Sequence, residues 1–442
     1  SEDMNLSATV EMELMQGKDE MTMEDIGIFN EQIVMLVAYQ DNKAKTTTYY
    51  LQEVDAGSLR KIGSLQEVGS VEFEKRRSTG YGDLIASRSD EKLLIYLKLP
   101  YEKGSPERFR FQVWDNELNM LWREDYQLPY ADDLFRLQRI RVGNNGNVYI
   151  TGTEWKEKRE RRENKRDVDY KYHIMAISDN GNQVKDYDVS LGEQFISDMQ
   201  ILIDDKNDLL VSGFYGEKSS ARTKGMFYLK IDSKSKDIAK DRRVEFPEDF
   251  ILDQMSDKAK AKAKKKADRK GEEVQLVSYD VREMLLKDDG GFVVLAEQYR
   301  FWTTTTTTTN SNGASTTKTT YHYMYNDLIV LNVSPDGEIE WYTRVPKHQY
   351  STNDGGYRSS YTLGVAGTKI LVVYNDAVEN LNFEKVADMR NFRTGKDGGI
   401  VLATIDGSGN VKRKLLYTYM KKDDVFIPKE SDQVDKDEIF MY

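Results

Sequence analysis

The sequence predicts an all-β protein, a β-propeller of about seven four-stranded blades, and three observations support this. Short runs of alternating or β-branched residues recur along the chain, tight Asp/Asn/Gly turns separate them, and the runs fall into successive groups of four. One complete group lies between residues 137 and 191. A single four-stranded group cannot cover both of its own faces, so its repetition favours a propeller over an immunoglobulin-like array or a parallel β-helix.

Six whole groups are expected, at residues 23–65, 81–128, 137–191, 196–246, 280–345 and 361–419. We expect a seventh blade to be split between the ends, with residues 7–15 completing the strands at 425–428 and 438–442, because closure would leave no edge unpaired. Six blades with loose ends is the alternative. A repeat architecture can absorb 442 residues, so the sequence predicts one domain, residues 1–442.

Two segments interrupt the repeat. Residues 253–275 are rich in Ala and Lys and contain no Pro, which predicts a helical insertion. Residues 300–323 are rich in Thr and predict a hairpin insertion, either as a flexible polar tip or as a ribbon that reaches a partner. Both fall among the connections that we expect on one face of the propeller, where the long loops gather, while short Asx/Gly turns occupy the other face.

Composition excludes several classes of site. The chain has no Cys, which excludes disulfides, a thiol nucleophile and Cys-ligated metals. Its net charge of -11 argues against a nucleic-acid binder. The longest apolar run, residues 33–39, is far shorter than the roughly 18 residues that a membrane-spanning helix needs. The chain starts with Ser1 rather than Met, as expected if a leader or lipid-bearing segment precedes it.

The candidate binding residues lie in two of the long connections. Residues 341–361 gather aromatic, basic and acidic groups around a Gly-Gly pair, and the alternative is a loop packed by its own tyrosines. Residues 155–167 form a basic loop, and the alternative is a solvated hairpin tip. The partner-binding residues predicted from these segments are Trp341, Arg344, His348, Tyr350, Asp354, Tyr357, Arg358, Arg159, Arg161 and Arg162.

The sequence indicates no catalytic, cofactor or metal site. Its three histidines, His173, His322 and His348, do not recur at equivalent repeat positions, and no Gly-x-Ser-x-Gly elbow occurs. The Asp-rich turns lack the alternating ligand spacing of a calcium loop. We therefore expect a protein that is not an enzyme.

Several phrases resemble the large β-propeller proteins of the Bacteroidota cell envelope. They are Phe-Gln-Val-Trp-Asp-Asn-Glu-Leu at 111–118, Leu-Trp at 121–122, Gly-Asn-Val-Tyr-Ile-Thr-Gly at 146–152 and Ser-Thr-Asn-Asp-Gly-Gly-Tyr at 351–357. The resemblance covers most of the chain, and it lies in the style of the repeats rather than in a diagnostic motif. It implies an exported, periplasmic or outer-membrane-associated protein, often attached to a transport or secretion machine such as the type 9 secretion translocon, where one such role is a plug-like subunit.

The function expected from the sequence is that of a non-enzymatic interaction subunit of a cell-envelope complex, which binds a protein partner through the long-loop face. Anionic lipid or glycan contacts are further candidates, and nucleic acid is not expected. A glycan-binding propeller is the alternative, followed by an envelope hydrolase. Aromatics in a concave pocket would favour the glycan alternative, whereas a flat, loop-built surface would favour a protein partner.

Overall fold

The computed structural model of the protein describes residues 9–74, 80–156, 170–192, 194–217, 222–253, 260–262, 264–265, 269, 276–277, 279–383, 388–393, 397–421, 426–435 and 438–441. The described chain separates into two compact units. The first comprises residues 1–190 and 205–207, and the second comprises residues 191–204 and 208–442.

The first unit contains three four-stranded antiparallel blades. Each is a meander in which strands adjacent in sequence are adjacent in the sheet. Blade 1 has strands Thr22–Phe29, Gln32–Asp41, Thr46–Val54 and Lys61–Glu72; blade 2 has Tyr81–Ala86, Lys92–Leu99, Pro106–Asp115 and Met120–Ala131; blade 3 has Phe135–Val142, Val148–Trp155, Tyr170–Ser178 and Gln183–Val189.

The second unit contains three more blades of the same topology. Blade 4 has strands Gln194–Ile203, Leu209–Glu217, Gly225–Ile231 and Ile238–Glu245; blade 5 has Tyr279–Leu286, Phe292–Thr309, Ser315–Val333 and Ile339–Thr352; blade 6 has Thr362–Ala366, Lys369–Ala377, Gly398–Ile405 and Val411–Thr418. The all-β propeller fold with six whole blades is thus confirmed.

Period-two alternation explains how the blades pack within a unit. In Lys92–Leu99, Leu93, Ile95 and Leu97 lie in the core shared with blade 1, whereas Leu94 and Tyr96 lie in the core shared with blade 3. Successive side chains of a strand point to opposite faces, so one apolar run supplies both cores. Blade 5 does the same in the second unit, with one face packed against blade 4 and the other against blade 6.

The ends of the chain differ from the expected split blade. Among the described residues, Met15–Gln16 pairs with Asp19–Glu20, and Asp432–Asp435 pairs with Glu438–Phe440, each as a two-stranded sheet. The first eight residues lie outside the described part. The described chain therefore contains six four-stranded sheets, the number given by the alternative of six blades with loose ends. A third two-stranded sheet in the described chain joins Arg222–Thr223 to Leu276–Val277.

The part of the chain that the structure describes contains little helix. An α-helix, Glu248–Asp253, leads into the predicted helical insertion, and the backbone is helical at the described positions 260–262, 264–265 and 269. Short 3-10 helices include Val378–Asn382 and Pro428–Glu430. In the described residues we find no helix that is both long and apolar enough to cross a membrane.

The Thr-rich insertion is a regular hairpin that lengthens two strands of blade 5. Strand Phe292–Thr309 pairs with Ser315–Val333 up to Thr309 opposite Ser315, and a turn at residues 310–314 joins them. Strand Ile339–Thr352 pairs with Ser315–Val333 as far as Thr352, which lies opposite His322. The β-branched Thr run therefore continues the sheet as a paired hairpin.

Candidate partner-binding site

A three-stranded ribbon projects from blade 5 and carries exposed aromatic residues. We define the ribbon as residues 299–309, 315–324 and 350–352. Register places Trp302 opposite His322, and Met324 opposite Tyr350, so that these side chains share one face. Phe301, Tyr321 and Tyr323 follow the other parity and lie on the opposite face, where Phe301 and Tyr321 are both about half exposed.

The first face is a ladder of stacked rings. The Trp302 and His322 rings are 4.8 Å apart and 1° from parallel, and the Tyr350 ring lies 5.9 Å from Trp302. Thr304 Oγ1 is 2.7 Å from His322 Nε2, and Tyr350 OH is 2.7 Å from His322 Nδ1. The imidazole is therefore fixed by a hydroxyl on each side, and the ladder presents a rigid surface.

Arg300 extends the ladder toward the blade. Its guanidinium carbon lies 5.1 Å from the centre of the Trp302 ring, a cation–π geometry. Among the ion pairs of the described residues, none includes Arg300, which is exposed. The ribbon therefore combines flat aromatic surface with a cation that stacks on it.

Other residues lock the third strand of the ribbon at its base. Asn391 Oδ1 accepts the Tyr350 N–H at 2.6 Å, and Asn391 Nδ2 donates to Tyr350 O at 2.9 Å, so this side chain mimics a neighbouring strand. On the second strand, Asn353 Oδ1 accepts the Tyr321 N–H, and the Asn353 backbone N–H donates to Tyr321 O, each at 2.9 Å. The aromatic face is thereby held without a fourth strand.

Two of the predicted site residues, Trp341 and Arg344, are packing residues rather than surface residues. Trp341 donates its indole N–H to Gly407 O at 3.0 Å and lies against Gly409, where a Cβ would be 2.8 Å from the indole. Arg344 is largely buried between Asp327, at 2.9 Å, and the Phe250 ring, 4.6 Å from its centroid. Both therefore join elements of the second unit.

The other predicted residues of segment 341–361 differ in their burial and contacts. Burial and the adjacent Lys347 charge lower the pKa of His348. Asp354 is a turn residue whose carboxylate accepts Ser351 Oγ at 2.7 Å and Gly356 N–H at 2.9 Å. Tyr350 and Tyr357 are exposed, and the Arg358 guanidinium lies 5.2 Å from the Tyr357 ring. Arg159, Arg161 and Arg162 lie outside the described residues.

Sequence reasoning missed Trp302, His322 and Phe301 as members of the surface. The signal was present, since aromatics alternate with polar residues at the start of the Thr run and again at residues 321–325. Two such segments flanking an Asn-Ser-Asn-Gly turn predict a paired ribbon with aromatic ladders.

Sequence reasoning also missed a buried ionic cluster in blade 5. Lys347 Nζ donates to Glu297 Oε1 at 2.7 Å, and neither side chain is exposed. Arg282 Nε, at 3.2 Å, and Ser360 Oγ, at 2.9 Å, both donate to Glu297 Oε2. Burial lowers the pKa of Lys347, with the Glu297 carboxylate opposing the shift. The cluster is enclosed, and its role is structural, because it links the first, second and fourth strands of blade 5.

The first unit holds an open depression of about 600 Å³. Its walls carry aromatic and charged side chains, among them Tyr81, Lys98, Glu107, Asp132, Arg136 and Trp155. Lys98 Nζ is 2.5 Å from Glu107 Oε1 and 5.2 Å from the Tyr101 ring. In the residues that the structure describes, no group of three or more His, Asp or Glu side chains is placed to hold a metal ion.

Comparisons with known proteins identify no family for this chain. No protein-family model and no curated protein matches this chain. The chain is similar to prolyl oligopeptidase B from Galerina marginata, at 10% identity and a TM-score of 0.38 over 94% of this chain and 44% of that one. It therefore spans less than half the length of that peptidase.

Two further solved structures match at a similar level. The β-propeller domain of the Trilobed protease from Pyrococcus furiosus matches at 11% identity and a TM-score of 0.31, covering 90% of this chain and 96% of that one. The polysaccharide lyase Uly1 matches at 10% identity and a TM-score of 0.35, covering 94% of both chains. Likenesses at this level say nothing about a reaction, a ligand or a partner.

Proposed function

We propose that this β-propeller is a non-enzymatic interaction protein and that the ribbon of blade 5 is its partner-binding surface. The observation that carries the proposal is the ordered ladder of Trp302, His322 and Tyr350 on a projecting three-stranded ribbon. Rigid aromatic surface next to an arginine is typical of the centre of a protein interface. The ladder lies on exposed strands of the projecting ribbon, which favours a protein partner over a small ligand.

The hydroxyl–imidazole pair within the ladder does not favour catalysis. Thr304 and His322 are within hydrogen-bonding distance, but the group that orients the imidazole is the Tyr350 phenol rather than a carboxylate. The pair also lies on an exposed strand, where solvent competes for its hydrogen bonds. We therefore assign it to the rigidity of the ladder.

The setting that we propose is an assembly of the cell envelope at the outer membrane, with transport or secretion as its task. This part of the proposal rests on the resemblance in repeat style to Bacteroidota envelope propellers. Purification of the tagged full chain from native membranes tests it. Enrichment of cytoplasmic proteins alone, with no envelope protein, would contradict it.

The binding surface is tested by comparing variants in the same co-purification. Trp302→Ala with Tyr350→Ala should reduce the recovery of the main partner about tenfold or more, because interface anchors typically contribute 2 kcal/mol or more. Tyr417→Ala is the matched control, since Tyr417 is exposed to a similar extent (43% against 38% for Tyr350) on blade 6. Equal recovery with the ladder variant and the control would refute the proposed surface.

A glycan-binding role remains the second candidate, because of the depression in the first unit. Tyr81 and Trp155 offer rings for stacking on sugar faces, and Glu107, Asp132 and Arg136 offer hydrogen-bonding groups beside them. Titration with neutral oligosaccharides tests this role. Binding that disappears in Tyr81→Ala with Trp155→Ala would support it, and binding unchanged by that pair would dismiss the depression as the site.

A further inference from the structure

We infer that the outer edge of the ribbon receives an extended strand from the partner protein, which would become a further strand of blade 5. The inference rests on the proposed function and gives the mode of binding. The first strand of blade 5, Tyr279–Leu286, pairs with Phe292–Thr309 only as far as Gln298. Residues 299–309 continue beyond it, and no strand among the described residues pairs with their outer edge.

The turn fixes which backbone groups face outward. Asn310 N–H donates inward, to Ala314 O at 3.0 Å. Because inward and outward groups alternate along an antiparallel strand, the N–H groups of Thr304, Thr306 and Thr308 also face inward. Those of Thr303, Thr305, Thr307 and Thr309 therefore face outward.

Two independent kinds of contact agree with this assignment of inward and outward N–H groups. Hydroxyl pairs link Thr305 to Thr319 at 3.3 Å and Thr307 to Thr317 at 3.2 Å, as expected at the closer, non-hydrogen-bonded positions. Tyr321, opposite Thr303, turns its N–H outward to Asn353. An outward row of donors and acceptors is thus open along residues 299–309, whereas Asn353 closes the corresponding position beside Tyr321.

The edge lacks the usual protection against strand addition. Natural edge strands are blunted by charge, proline, bulges or short length. Residues 303–309 are all Thr, and the extended edge at 299–309 is on the order of 35 Å long. Such an edge is a template for an added strand, with main-chain hydrogen bonds giving affinity and alternate side chains giving specificity.

The side chains beside the edge define the partner strand. On the ladder face, Arg300 and Trp302 would lie beside it, so we expect an aromatic or β-branched residue next to Trp302 and a carboxylate next to Arg300. A second copy of the ribbon fits less well. Residues 299–314 contain no Asp or Glu, so edge-to-edge pairing of two ribbons leaves the charge of Arg300 without a carboxylate.

The test uses the full chain and a synthetic Thr/Val-rich nine-residue peptide that carries one Tyr and one Glu two residues apart, the spacing of Trp302 and Arg300 along the ribbon edge. Peptide binding is measured by fluorescence anisotropy. Thr305→Pro with Thr307→Pro removes two outward N–H groups that the hairpin does not use, and proline is tolerated at such edge positions. We expect at least about a tenfold loss of peptide affinity in this variant.

Thr305→Val with Thr307→Val is the matched control, because it removes the same hydroxyl pairs but keeps the N–H groups. Its affinity should stay within about twofold of that of the unchanged protein. Hydrogen exchange at Thr304 and Thr306 in the proline variant verifies that the hairpin persists. Absence of peptide binding, or equal binding to the proline and valine variants, would overturn the inference.

Two further outcomes separate this inference from the proposed function. Loss of the native partner in the Trp302/Tyr350 variant but not in the proline variant would refute strand addition and leave the ribbon as the binding surface. Retention of the native partner in both would refute the ribbon itself. Self-association of the unchanged chain that the proline variant abolishes would make a second copy the occupant and overturn the assignment to a different protein.

Discussion

Lys347 and Glu297 form an ion pair in which neither side chain is exposed, with Nζ 2.7 Å from Oε1. The other bonds of the ammonium go to Tyr325 O at 3.0 Å and Gln349 Oε1 at 3.1 Å. Each partner is therefore hydrogen-bonded as well as paired, which offsets the cost of removing two charges from water. The pair joins the second and fourth strands of blade 5 below the ribbon.

Glu297→Gln should destabilise the second unit strongly, because it leaves the Lys347 ammonium buried without its counter-charge. Breaking a buried pair in this way typically costs about 3–5 kcal/mol. Urea unfolding followed by circular dichroism measures the change. Glu379→Gln is the control, since the Glu379–Arg390 pair is mostly exposed (56% and 71%), and such pairs contribute about 0–1 kcal/mol. Similar midpoints for the two variants would contradict the structural role of the pair.

Asp376 should make stability depend on pH. Burial raises its pKa to about 6, although the N–H groups of Asn380 and Ala377 lower it in part. Between the ordinary Asp pKa and about 6 the folded state binds more protons than the unfolded state, so stability should fall as pH rises through this window. The slope per such group is at most about 1.4 kcal/mol per pH unit.

Asp376→Asn should remove this contribution and flatten the unfolding free energy between about pH 4 and pH 6. It should also make the protein more stable at pH 7, because the buried carboxylate Oδ2 has no hydrogen-bond partner. Guanidinium titrations at a series of pH values measure both effects. A variant with the same pH slope as the unchanged protein would show that other groups set the dependence.

Gly337 should be far less tolerant of a side chain than Gly313. Both have a positive φ, +86° and +79°, but a Cβ at Gly337 would lie 2.3 Å from the Tyr228 ring, whereas at Gly313 nothing lies within 4 Å. Alanine at Gly313 should cost only the backbone strain, about 1 kcal/mol. Gly337→Ala should cost clearly more, since it also forces blade 4 and blade 5 apart. Equal shifts in thermal midpoint would argue against this packing.

The blades could be predicted because the hydrophobic pattern of each strand is visible in its own short stretch of sequence. Lys92–Leu99 and Phe292–Ala296 are apolar on both faces, and Gly146, with φ +80°, occupies a turn that needs that conformation. The buried ion pair was not predictable, because Glu297 and Lys347 lie 50 residues apart and only strand register brings them together. Trp341 is conspicuous in the sequence, yet its contact with Gly407 depends on how blades 5 and 6 stack.

Shortening the ribbon should leave the fold nearly unchanged. Replacement of residues 305–319 by an Asn-Gly turn keeps Thr304 opposite Thr320 and removes mainly exposed threonines whose hydrogen bonds are local to the hairpin. Loop length alters closure entropy by only about 0.6 kcal/mol per doubling. We expect a thermal midpoint close to that of the unchanged protein and a single cooperative transition. Loss of cooperativity would mean that the ribbon contributes to the core of blade 5.

The last prediction separates the residues that hold the second unit together from those that meet a partner. Trp341→Ala removes an indole that fills the space over Gly409 and donates to Gly407 O, and large-to-small changes at packed sites typically cost about 3–5 kcal/mol for Trp. Trp341 is half-buried, so we expect the lower part of that range. Partner recovery per folded molecule should be unchanged.

Tyr350→Ala should show the opposite pattern. Its ring is exposed and stacks on Trp302 and His322, so its loss should change the unfolding free energy by less than about 1 kcal/mol but weaken the partner complex by about 2 kcal/mol or more. Thermal melts and quantitative co-purification on the same preparations measure both quantities. If Trp341→Ala reduced binding without a loss of stability, the partner would contact the packed side of the strand, and the ladder would have to be replaced by Trp341 as the centre of the interface.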